Sequence, residues 1–67
     1  PDINDYIGNY RKALDIREEL RLDLITNNIH SKVECIASFL ALLELFKLRE
    51  IYLTQKDGNK FHIKKRM

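Results

Sequence analysis

Few residues in this 67-residue chain stand where reaction chemistry could be assembled. His30 and His62 lie far apart, and neither is at metal-ligand spacing from Cys35 or from the other. Glu18 and Glu19 are adjacent carboxylates, which do not face one another in a helix or a strand, so they read as solvated charge. Cys35 sits inside an apolar run and reads as a small core residue. Only Gly8 and Gly58 are present, too few for a glycine-rich phosphate loop. His62, on the polar side of a strand, reads as exposed. The expectation is a protein that is not an enzyme and takes no cofactor or metal. The basic residues Lys56, Lys60, Lys64, Lys65 and Arg66 gather near the carboxyl end. They suit weak contact with a DNA backbone, and equally a solvated sheet edge that resists aggregation. A net charge of +2 and a pI near 8.9 are mild for a protein held mainly by phosphates.

The elements that must position these residues belong to one small domain, residues 1–67. With a single cysteine no internal disulfide can form, which points to a reducing, cytoplasmic setting. The apolar run from Cys35 to Phe46 is too short to span a bilayer, and Glu44 interrupts it, so no membrane is expected. The amino end, PDINDY, is polar and acidic, unlike a signal peptide. A start on Pro1 rather than Met reads as a piece of a longer protein.

The central stretch is Ser31–Leu48, SKVECIASFLALLELFKL. Ser31 and Glu34 form a capping box, and the turns that follow hold no Gly or Pro. Val33, Ile36, Leu40, Leu43 and Phe46 recur at helical spacing and predict the core face. Phe39, Leu42 and Leu45 lie round the side, and Glu34, Ser38, Glu44 and Lys47 keep a polar stripe. Before it, Asp2 to about Asp15 predicts a first helix, with Asp2 as N-cap and an apolar stripe of Ile3, Ile7, Tyr10 and Leu14. Tyr6 and Ala13 widen that stripe. Leu20, Leu22 and Leu24 alternate with Arg21 and Asp23, predicting two or three residues of strand that run into a short helix. Asn27–Asn28 then makes a turn. After the long helix, Ile51, Leu53 and Gln55 alternate with Tyr52 and Thr54. Asp57–Gly58 marks a type I′ hairpin turn, and Phe61 and Ile63 alternate on the return strand.

The predicted fold class is mainly α with a small β-hairpin (α+β), in the order helix, short strand, helix, helix, strand, wing, strand. That is the layout of a winged helix. A DNA reader with this layout presents Arg, Lys, Asn or Gln on its long helix, whereas this one carries Glu34 and Glu44. DNA binding is therefore the alternative reading. The surplus apolar residues, Phe39 and Leu42 with Leu45 or Tyr52, are expected to face outward, and such patches mark protein–protein sites.

The segment SKVECIASFLALLELFKLREIYLTQ resembles the carboxy-terminal winged-helix domain of the ScpA kleisins of prokaryotic SMC chromosome-condensation complexes. The family pattern begins Ser-Arg-x-Glu, here Ser31, Lys32 and Glu34, with Lys for the usual Arg. It continues Thr-Phe-Leu-Ala-Leu-Leu-Glu-Leu, matched by Phe39 to Leu45 with Ser38 in place of Thr, and closes a strand on Gln, here Gln55. The wing departs from the pattern, carrying Phe61-His62-Ile63 where the family has Phe-Gly-(Asp/Glu)-Ile. The match covers about a third of the chain.

The resemblance implies a nucleoid-associated, non-catalytic role in chromosome condensation and segregation. The domain docks on the SMC ATPase head to close a ring, while ScpB binds a central kleisin region outside this sequence. By position the family's head contacts fall on Phe39 and Leu43, although periodicity places Leu43 nearer the core. Gln55 joins them from the matched strand. Leu42, Tyr52 and Ile63 join them on expected exposed apolar character.

Overall fold

The computed structural model describes residues 2–27, 31–56, 58 and 60–66. Along them run α1 (Ile3–Arg17), β1 (Glu19–Arg21), α2 (Leu22–Asn27), α3 (Lys32–Lys47), β2 (Ile51–Lys56) and β3 (Lys60–Lys65). The architecture is α+β, mostly helical, with one antiparallel sheet in the order β1-β3-β2. The short strand is the sheet's third member, so Ile63 has Leu20 on one side and Leu53 on the other. Ile29, His30 and part of the Asn27–Asn28 turn lie outside the described residues, as does Asp57 of the hairpin turn. Gly58 has φ 63°, and the ladder closes on the Lys56–Lys60 pair.

Local chemistry fixes the ends of the helices. The Asn4 N–H donates to Asp2 Oδ1 at 2.9 Å, which satisfies an amide at the start of α1. Its other end closes at Glu18, whose left-handed backbone (φ 67°) lets its N–H donate to the Leu14 carbonyl at 2.9 Å. The chain reverses there, and β1 begins at the next residue. α3 starts with the Glu34 N–H donating to Ser31 Oγ at 3.0 Å, one half of the expected capping box. It ends in a Schellman pair. The Arg49 N–H donates to the Phe46 carbonyl and the Glu50 N–H to the Leu45 carbonyl, each at 3.0 Å, with Arg49 at φ 60°. This turn delivers the chain straight into β2.

The core lies where α1 crosses α3 above the sheet. Ile7, Tyr10 and Leu14 of α1, the stripe read from the sequence, meet Ala41, Leu42 and Leu45 of α3 with Ile51 and Ile63 of the sheet. Ala37, Ser38 and Ala41 present little bulk, which lets the α1 backbone come close. The buried Ser38 hydroxyl is hydrogen-bonded to the Tyr10 hydroxyl, so neither pays for burial without a partner.

The buried face of α3 is therefore on the opposite side from the one its periodicity suggests. Val33, Ile36, Leu40 and Leu43, expected inside, are all exposed; Leu45, expected outside, is 0% exposed. Leu42 is buried as well, and Ser38 belongs to the core rather than to a polar stripe. The physical reason is bulk. α1 packs on the side where the residues are small, and no element among the described residues covers the large residues at 36, 39, 40 and 43.

Candidate interaction surface

In the ladder, residues directly opposite share a face of the sheet, and faces alternate along each strand. Ile51, Leu53, Phe61 and Ile63 thus point to the α3 side, and Tyr52, Thr54, His62 and Lys64 to the other. Ile51 and Ile63 are buried under α3, but Leu53 and Phe61 reach past its cover and are each nearly half exposed. Beside them runs the outer face of α3. Ile36, Phe39, Leu40, Leu43 and Leu53 line an open apolar groove of about 510 Å³, with Leu42 as part of its wall and Leu22 of α2 at one end. Cys35 lines the same groove and is only partly buried, rather than a core residue. Phe39 also borders a second hollow, with Leu22, Thr26, Lys60 and Phe61, so the apolar surface continues toward the hairpin tip.

The candidate residues divide by geometry. Phe39 (43% exposed) and Leu43 (56% exposed) stand together on this surface, and Leu43 is not nearer the core. Leu42 and Ile63 lack the exposed character that singled them out: Leu42 is 3% and Ile63 0% exposed, because α1 and the sheet close over them. Tyr52 is on the far face of the sheet, half-buried, with the Arg66 guanidinium 5.6 Å from its ring centroid. Gln55 is exposed and shares the face of Leu53, opposite Phe61. Periodicity missed Ile36, Leu40 and Leu53 as surface residues. The signal that could have found them is the small-residue stripe Ala37, Ser38, Ala41.

Four of the five basic residues share the Tyr52 face of the sheet, Lys56, Lys60 and Lys64 by register and Arg66 over the Tyr52 ring, and Lys65 is on the other face. Lys56 Nζ bonds both carboxylate oxygens of Glu19 at 2.9 Å, and that hydrogen bond holds the Glu19 carboxyl below its ordinary value. Lys65 pairs with Asp15 at 2.5 Å from the other side of the sheet. Lys60 and Lys64 share the Tyr52 face. His62 is not exposed as expected. Its side chain is 16% exposed because the Glu19–Lys56 pair extends over the row that it shares with Thr54. His62 Nδ1 is 3.3 Å from Glu19 Oε2, but is not aligned for a hydrogen bond. Among the described residues no group of three or more His, Cys, Asp or Glu could hold a metal ion, and no helix is long and apolar enough to cross a membrane.

No family model, curated protein or solved structure matches this chain.

Proposed function

We propose that this chain is a non-catalytic winged-helix module of the ScpA kleisin kind, which docks on the ATPase head of an SMC protein through the outer face of α3. One observation carries the reading: Ile36, Phe39, Leu40 and Leu43 form an apolar strip along a single helix face, exposed beside Leu53. Water is a poor neighbour for such a strip. Burying it against a partner is favourable by about 25 cal/mol per Å², and an aromatic anchor at its centre, Phe39, suits a hot spot. The order helix, strand, helix, helix, hairpin, with the hairpin in a three-stranded sheet, supports the winged-helix assignment. The sequence likeness around Ser31–Gln55 supports the partner. An apolar α3 face is unsuited to reading base edges, which demand hydrogen-bonding side chains.

The test is a titration of the chain, and of Phe39→Glu, against the SMC head domain from the same cell. Phe39 is outside the buried core, so the variant should keep its circular dichroism and melting profile. Placing a carboxylate at the centre of the patch should weaken binding by about 30-fold or more, the scale of a hot-spot residue. Normal head binding by a folded Phe39→Glu chain contradicts the assignment.

A further inference from the structure

The free edge of the sheet beside the apolar groove has a hydrogen-bonding pattern of its own. β3 is the central strand, so β2 has a neighbour on one side only among the described residues. Two bonds set the phase of the ladder. The Lys65 N–H donates to the Glu18 carbonyl on the β1 side, and the Arg66 N–H to the Glu50 carbonyl on the β2 side. By alternation, Lys64 and His62 bond to β2, through their partners Tyr52 and Thr54. The backbone N–H and C=O groups of Ile51 and Leu53 then point away from β3, out along the free edge.

Proteins usually blunt such an edge with charge, proline or a bulge. β2 has no proline, and it pairs with β3 without a break from Ile51 to Lys56. At its middle the outward-facing backbone belongs to Leu53, whose side chain is 49% exposed in the groove. The other edge strand, β1, is three residues long and passes directly into α2.

From this we infer that the occupant of the surface is an extended strand of the partner, added to the edge of β2, with every second side chain apolar. This inference rests on the docking function proposed above and specifies its chemistry. A strand about 4.8 Å from β2 takes hydrogen bonds from the edge and gives them in return. Its alternate side chains fall on the α3 side of the sheet, where Leu43, Phe46 and Leu53 line the same groove. The backbone thus supplies the direction and register of the partner, and the groove supplies the selection for apolar side chains.

Amide hydrogen exchange in the free chain and in its complex with the SMC head domain tests this. Leu53 N–H should exchange fast in the free chain and be slowed at least tenfold in the complex, while the amide of Thr54, already in the ladder, changes little. In parallel, a chemically synthesised chain with N-methyl-leucine at position 53 keeps the side chain and removes only the outward donor. It should bind the head at least fivefold more weakly while melting like the parent. Head binding that leaves Leu53 exchange and N-methyl binding unaffected overturns the strand inference but not the docking function. Absence of head binding overturns both. Protection of Leu53 that appears in the chain alone and grows with its concentration assigns the edge to a second copy, and also overturns the inference.

Discussion

Tyr10 and Ser38 show how much one polar contact can decide in a small core. Each hydroxyl is buried and has the other as its partner, and burial raises the Tyr10 phenol above its ordinary value. Tyr10→Phe leaves the Ser38 hydroxyl without that partner and should cost about 1–3 kcal/mol. Tyr10→Phe combined with Ser38→Ala should cost clearly less than the sum of the two single changes, as urea denaturation of the four chains will show. Additive losses would mean that the contact contributes nothing to stability. A second residue-scale prediction concerns acid. The Arg11 guanidinium grips Glu50 at 2.6 and 2.9 Å and holds its carboxyl below the ordinary 4.5. A depressed carboxyl contributes stability in full above that ordinary value and loses it as pH falls through the folded one. Glu50→Gln should therefore be less stable than the parent at neutral pH, and the gap should narrow as pH falls below the ordinary 4.5 and through the lowered folded value. Both partners are well exposed, so the gap should also shrink in high salt. A gap that does not change with pH would exclude the ion pair as its cause.

At the scale of elements, α3 has two apolar sides and the fold uses only one. Leu45 and Leu43 are chemically identical and nearly adjacent, yet one is fully buried and the other 56% exposed. Leu45→Ala should cost about 2–5 kcal/mol through lost burial and a cavity, and Leu43→Ala no more than about 0.5 kcal/mol. Thermal unfolding of the two variants checks this. Equal losses would contradict the placement of α3. The same pair explains what the sequence could convey. α1 was legible because its stripe, Ile7, Tyr10 and Leu14, is a single apolar face and the rest of the helix, Ile16 apart, is mostly polar. The caps at Asp2 and Ser31 and the alternation of β2 were legible because they are local chemistry. The facing of α3 was not, since apolar residues surround it and periodicity cannot choose between equal sides. The choice was made by the small residues Ala37, Ser38 and Ala41, which let a second helix approach. His62 was misplaced for a similar reason: alternation assigns a face, but not the Glu19–Lys56 pair that covers it.

For the whole molecule, a 67-residue chain forms one core with α1, one side of α3 and the sheet, and leaves the opposite side of α3 in water. Of the residues exposed on this apolar face, the family likeness named Phe39 and Leu43, whereas Ile36, Leu40 and Leu53 required the facing of α3 to be known. On the function proposed above, this face is completed by the SMC head through apolar contact. The most direct test is calorimetric titration of the chain with the head domain across a range of salt concentrations. One-to-one binding whose affinity changes by less than about threefold between 50 and 200 mM salt is predicted, since apolar burial releases no counterions. Failure to bind a folded head, with retention on duplex DNA that falls by about 10³-fold or more over the same range, would contradict it.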